Sequence, residues 1–391
     1  MFTRRVLFSF ALFPILAATV LAQAAPPQLQ AGETQRAYIV PRPAIPADPL
    51  ELATGETKVL DTPQERATVL GLLERARQNS DLWGPTKPYV MHVSFSSSGA
   101  ALYTGAGQMT QIWESPARFR FDAQLGSFTQ TRLFTGGRAY DLRSNSFVPL
   151  RLQMIRSVLF WPMNFNALGM LRIAAGRLAE TDLLCGLFSA ATNDPAEMSS
   201  VPGRRWAETE FCVDPKSGLL RVYSEAPGIY AVYDYSEALE HNGYVLPRSI
   251  NVTEAGQDVL DVRIESIADP TASDLAELVP SGELASAPIG NALSFPIRFP
   301  QFTQAPEGYK GVVHPVIVHA ILGPDGHSLD QEALQGSDAV LTQAAMDLIR
   351  SRTFPAANPR LARAQREVFI NVKFIVPVAT TAAAGAPTPK P

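Results

Sequence analysis

The chain has 391 residues, 46% of them hydrophobic and 18% charged, with a formal net charge of −4. That composition suits folded domains and excludes overall disorder. The slightly acidic balance disfavours nucleic acid, whose recognition rests on basic patches, and gives no sign of adhesion to anionic membranes.

The opening stretch "MFTRRVLFSFALFPILAATVLAQAA" sets Arg4 and Arg5 before an apolar run from Val6 to Leu21. Ala22-Gln23-Ala24 follows as a small-x-small site. This is the three-part pattern of a secretory signal peptide, with cleavage expected after Ala24. The run carries Pro14 and falls short of the roughly 20 residues of a membrane span. An uncleaved anchor is the alternative. Export makes the periplasm the expected compartment. It also makes a disulfide the default for the two cysteines, Cys185 and Cys212, with two buried free thiols as the other reading.

Residues 25–57 are rich in Pro, Ala and polar residues and read as a flexible leader. "DTPQERATVLGLLERARQNS" (61–80) then starts a helix, with Thr62 as cap, Pro63 at the first position and Glu65 closing a capping box. Val69, Leu70, Leu72, Leu73 and Ala76 make its apolar stripe. From 88 to 149 the period changes to two. "YVMHVSFSSS", "GQMTQIWESP", "ARFRFDAQ", "FTQTRLFT" and "RAYDLRSNSFVPL" read as an antiparallel meander, with a hairpin turn at Gly136-Gly137.

"LRLQMIRSVLFWPMNFNALGMLRIAAGRL" is apolar in clumps and reads as a helical insert within 150–190, interrupted by Pro162. Strands resume with "RRWAETEFCVDP" and continue to "VLDVRIESI". Residues 269–296, with Pro, Ala, Ser and few aromatics, read as a linker with at most one weak helix. A second unit spans 297–376. "VVHPVIVHAIL" is a strand, "GPDG" a turn, "SDAVLTQAAMDLIRS" (337–351) a helix capped by Ser337, and "VFINVKFIV" (368–376) a strand. Val340, Leu341, Ala344, Ala345, Leu348 and Ile349 form the helix's expected inner side. The Ala/Thr/Pro tail, 377–391, reads as disordered.

No nucleophile elbow, His-Glu-x-x-His or phosphate loop occurs. "YTGAGQ" and "FTGGR" fit hairpin turns better than helix-opening loops. His314 and His319 stand five apart on one strand and face opposite sides, so they cannot share a metal. Asp214 and Asp325 suit turns. The chain is therefore expected to be no enzyme and to need neither metal nor cofactor.

Trp113, Phe119 and Phe121 share one face of the "IWESPARFRF" ribbon. They serve equally as sealed core or as the wall of a cavity. Phe134 and Tyr140 stand near them, and "VLFWPMNF" adds Phe160, Trp161, Met163 and Phe165. Pro162 would let that segment move as a lid.

Two resemblances follow. Over about 60–270, the order of helix, strand, Pro116-x-x-Phe119-x-Phe121, then Gly136-Gly137 and Tyr140, resembles the LolA/LolB family of periplasmic lipoprotein carriers. That implies an α+β fold for residues 58–268: a curved antiparallel half-barrel sheet with a helical lid over a cavity for acyl chains. The carriers' latching Arg before that Pro is here Ser115, so the cargo is expected to differ.

Over 311–376, the Pro324-Asp325-Gly326 turn and the helix running into Phe354-Pro355-Ala356 look like the TonB C-terminal domain. This implies a small strand–helix–strand domain that captures a partner by strand addition. Its expected edge strand includes Val368, Ile370, Val372 and Phe374. Together these give an exported binding protein of the cell envelope, with a lipid-like ligand in the half-barrel and a partner protein at the second domain. A structural adaptor with solid domains, or a transducer with an uncleaved anchor, are the alternatives.

Overall fold

The computed structural model describes residues 62–84, 87–99, 101–145, 148–160, 162–163, 171–189, 208–226, 228–287, 298–309, 315–335, 338–354 and 365–375. The signal peptide, leader and tail, Trp161 and Phe165 therefore lie outside the described residues, as do His314 and Ser337.

Helix α1 runs Pro63–Ser80. The Thr62 side chain accepts from the Glu65 N–H and so satisfies one of the orphan donors of the first turn. Val69, Leu72, Leu73 and Ala76 are its buried stripe.

The meander follows as β1 (Tyr89–Ser97), β2 (Gly105–Ser115), β3 (Arg118–Leu125), β4 (Phe128–Thr135) and β5 (Arg138–Arg143). Gly136 and Gly137 sit at φ +57° and +71° between β4 and β5, a left-handed pair that matches the twist of a two-residue hairpin. Helix α2 (Leu150–Phe160) comes next, buried along its whole length.

The chain then departs from expectation. The second half of the anticipated helical insert forms two strands, β6 (Arg172–Leu178) and β7 (Thr181–Ser189). Seven further strands complete this part of the chain: β8 (Glu208–Val213), β9 (Leu220–Ala226), β10 (Ile229–Asp234), β11 (Leu239–His241), β12 (Tyr244–Leu246), β13 (Ser249–Glu254) and β14 (Gln257–Ala268).

Strands β11 and β12 make a small hairpin of their own; the others form one twelve-stranded sheet in the order β5-β4-β3-β2-β1-β14-β13-β10-β9-β8-β7-β6. The pairs within it are antiparallel. The terminal strands β5 and β6 do not pair, so the sheet stays open, in keeping with a half-barrel. Cys185 and Cys212 are direct partners across β7 and β8 and are joined by a disulfide.

Residues 269–296 do more than link. They carry α3 (Ala272–Ala276) and α4 (Gly282–Ser286). Leu278 and Leu284 from this segment pack with Val90, Ile112 and Leu133 on the sheet's outer face.

A separate four-stranded sheet has the order β15-β18-β16-β17, where β15 is Arg298–Gln304, β16 Val316–Leu322, β17 Ser328–Gln335 and β18 Arg366–Ile375. Helix α5 (Ala339–Ser351) is capped by Asp338, which accepts from Val340 and Leu341 N–H. It buries Leu341, Ala345 and Ile349 against one face of this sheet, while Val340 is 54% exposed, contrary to its expected inward position. The other face joins the half-barrel core through Ile317, Leu334 and Phe369.

The expected edge strand is corrected here. Val368, Ile370, Val372 and Phe374 lie on β18, an inner strand paired with β16 on one side and with β15 in parallel on the other. All four are buried. The sequence pattern around 298–304 gave no strand signal, because Pro300 breaks the alternation; a proline is tolerated there because β15 is at the edge.

Candidate functional site

The inner face of the meander, the side packed on α1 and α2, is built in rows. Tyr89, Trp113, Phe119 and Phe134 are successive partners across β1, β2, β3 and β4. Their rings stack: Tyr89–Trp113 at 6.2 Å, Trp113–Phe119 at 5.4 Å and Phe119–Phe134 at 5.5 Å. Trp83, in the turn after α1, drives its ring edge-on into Trp113 at 4.8 Å, Phe119 at 4.9 Å and Phe160 at 5.7 Å. Such contacts add about 0.5–1.5 kcal/mol each beyond area burial.

Trp113 is 0% exposed, so no water-sized space touches it from outside or within. Phe121, Phe160 and Met163 are buried in the same core, and Phe119 nearly so. Tyr140 does not join them. It pairs with Leu133 on β4 and packs on the outer face with Leu275 and Ala287. The two-residue turn between β4 and β5 pairs Phe134 with Ala139, so Tyr140, an even step from Phe134 along the chain, falls on the opposite face.

The next row along the same face is polar. Met91, Gln111, Phe121, Arg132 and Asp141 are successive partners. Helix α2 lays Arg156 over Phe121, with the guanidinium carbon 4.0 Å from the ring centroid. Arg156 Nη2 donates to Gln130 Oε1 at 3.0 Å. Asp141 accepts from Gln130 Nε2 at 2.8 Å and from Arg132 at 3.4 Å, and Arg143 approaches it at 3.6 Å. Burial, with help from the neighbouring Arg132 charge, pulls the Arg156 guanidinium down to about 9. None of these polar residues stood out in the sequence, since arginines and glutamines on alternating strands ordinarily face water.

A second buried polar cluster joins the half-barrel to the four-stranded sheet. Arg151, in the first turn of α2, donates both terminal nitrogens to Glu254, Nη2 at 3.0 Å, and reaches the Ser98 carbonyl at 3.5 Å. Glu367 on β18 accepts from Leu102 N–H at 2.7 Å and from Leu150 N–H at 2.6 Å, so a carboxylate from one sheet caps the helix that lines the other. His319 Nδ1 stands 3.7 Å from Glu254. That carboxylate is already engaged by Arg151, and burial together with the Arg151 charge holds His319 down to about 3, hence neutral. Burial raises Glu367, against the pull of its two N–H donors.

Cys185, Glu210 and Cys212 are the one set of potential metal donors grouped among the described residues, and their sulfurs are committed to the disulfide.

No family model and no curated protein matches the chain. Solved structures overlap it loosely. A LolA superfamily protein from Nitrosomonas europaea shares 6% identity at a TM-score of 0.30, covering 51% of this chain and 94% of that one. A putative outer membrane lipoprotein-sorting protein domain from Vibrio parahaemolyticus shares 5% at 0.33, covering 54% and 97%. The MucA/MucB complex of Pseudomonas aeruginosa shares 13% at 0.24, covering 57% and 64%. Overlap of this order assigns neither family nor function. These three lend nothing to the TonB C-terminal resemblance of 311–376.

Proposed function

We propose that this chain is a non-catalytic adaptor of the cell envelope that takes up an extended segment of a partner protein at its four-stranded sheet. The observation that carries this reading is the position of β15. It is held by a single parallel ladder to β18, it contains Pro300, and Phe302 on it is 56% exposed. A strand held on one side only is the element an incoming strand replaces or extends. The half-barrel then serves as a rigid body behind the docking sheet. Its interlocked rings favour this over a standing cavity. The leading Arg-Arg and apolar run and the Cys185–Cys212 disulfide support an oxidising, extracytoplasmic setting.

The test locks β15 in place. Phe302 and Lys373 are direct partners across β15 and β18. The double variant F302C/K373C should form a disulfide when oxidised. A photo-crosslinking residue at Gln304 should capture a discrete partner when the pair is reduced and lose it when oxidised. Capture indifferent to the lock would sink the idea, and N-terminal sequencing that finds no start at Ala25 would remove the periplasmic placement.

A second reading, a carrier of an apolar or lipid-like ligand, is favoured by one observation: polar atoms enclosed beneath α2 that a solid core has no reason to keep. Such a ligand would have to displace α2 from the aromatic row. Uptake of a fluorescent fatty acid by the full chain tests it; no uptake at micromolar protein ends it.

A further inference from the structure

The polar row beneath α2 is unbalanced in both charge and hydrogen bonding. Arg156 Nε and Nη1 have no hydrogen-bond partner among the described residues. Neither does the Gln111 side chain, at its oxygen or its nitrogen. Gln111 pairs directly with Phe121, and Arg156 lies over that same ring, so both border one aromatic side chain. Gln111 is 0% exposed and Arg156 nearly so.

Among the described residues the carboxylate in reach is Asp141, shared by Gln130, Arg132 and Arg143. Two buried guanidinium groups, Arg132 and Arg156, and the partly exposed Arg143 thus surround one buried carboxylate. A buried charge without a counter-ion is expensive, and water answers its N–H groups without answering its charge.

We propose that Arg156, with Gln111 and Gln130 beside it, forms a site for an oxyanion, a carboxylate or a phosphate. The Nε–H and Nη1–H groups of Arg156 point from different edges of the guanidinium, so an oxyanion takes one of them in a charge-assisted bond. Gln111 adds an N–H donor and, for a monohydrogen phosphate or a protonated carboxyl, an acceptor for its hydroxyl. The site stands apart from strand docking. The oxyanion is either free or the head of an amphiphile; in the second form it rests on the carrier reading. That form has a geometric argument: Phe160, one turn on from Arg156, meets the Trp83 ring at the adjoining aromatic row. A charged head at the polar row would place its tail along those rings. The site is enclosed in this conformation, so occupation requires the Arg156 stem or α2 to yield by the width of one oxyanion.

Thermal unfolding of the full chain tests the site, with inorganic phosphate, laurate, dodecanol, and chloride at matched ionic strength as probes. The expected result is a melting temperature that climbs with the logarithm of phosphate or laurate concentration and ignores chloride. In R156M the response should vanish while the basal melting temperature stays within a few degrees of the unaltered protein's. A phosphate response without a laurate response assigns a free anion; a stronger laurate response assigns an amphiphile head. If R156M does not fold, Q111L should weaken the response several-fold and R156K should keep part of it.

Dodecanol matching laurate overturns the oxyanion site and leaves apolar uptake standing. Silence toward laurate and dodecanol alike, with a phosphate response intact, ends the carrier reading and spares the site. No anion response in the unaltered protein overturns the proposal outright.

Discussion

Arg151 and Arg156 lie five residues apart on the same buried helix, yet their surroundings differ in kind. Arg151 is ion-paired: two bonds to Glu254 and a third to a backbone carbonyl, with Nε alone left without a partner among the described residues. Arg156 keeps one side-chain bond and a ring contact, with two N–H groups unanswered among the described residues. The first ties α2 to β13 within the half-barrel, while Glu367 from the four-stranded sheet caps the same helix end. The second faces inward over the meander. A buried arginine paired with a carboxylate of its own is a structural weld; one that lacks such a carboxylate suits the oxyanion proposed above.

The contrast can be broken in several ways. The largest effect is expected from Glu254→Leu, which strands the Arg151 charge and should cost about 3–5 kcal/mol in urea unfolding. The double variant Arg151→Met with Glu254→Leu should regain most of that loss, because an apolar pair replaces an ion pair. A double variant no better than the single would show that the pair is not the unit.

Acid sensitivity comes next. Unfolded His319 takes a proton near its ordinary value of 6.5, the folded one only near 3. Its contribution to stability is therefore complete above pH 6.5 and declines as pH falls toward 3, at no more than about 1.4 kcal/mol per pH unit. Glu367 acts oppositely: its raised folded value favours the folded state at low pH, and that benefit is lost as pH rises through it. His319→Phe should flatten the stability profile between pH 6.5 and 4, followed by circular dichroism; an unchanged slope would place the sensitivity elsewhere. The smallest effect belongs to Arg156→Met, expected within about 1 kcal/mol of the unaltered protein, or above it. A loss as large as that of Glu254→Leu would erase the distinction between the two arginines.

Much of the local structure was legible. Thr62-Pro63 and Glu65 announce α1, and the alternation of 88–149 announces five strands, because caps and period are properties of neighbouring residues. Strands β6 and β7 were missed because "RIAAGRL" and "TDLLCGLFS" follow a continuous apolar run, in which strand and helix look alike. The edge assignment of 368–376 failed because pairing with 298–304 joins segments some 70 residues apart, and no local pattern reports it. Phe134 and Tyr140 stand an even step apart with a turn between them, which leaves their common face open in the sequence; the Gly136-Gly137 turn sets Tyr140 on the opposite face. The aromatic row was readable as a greasy face, but its closure by Trp83 was not, since Trp83 arrives from outside the sheet.

The order of residues along the chain decided where helices begin, which side of each strand is apolar, and which two cysteines could pair, since all three follow from chemistry within a few positions or from the count itself. Which arginines were sealed inside, which strand lost its open edge and which rings met was decided by tertiary structure. Those outcomes depend on what a distant segment brings to the other side, and only the packed chain supplies that.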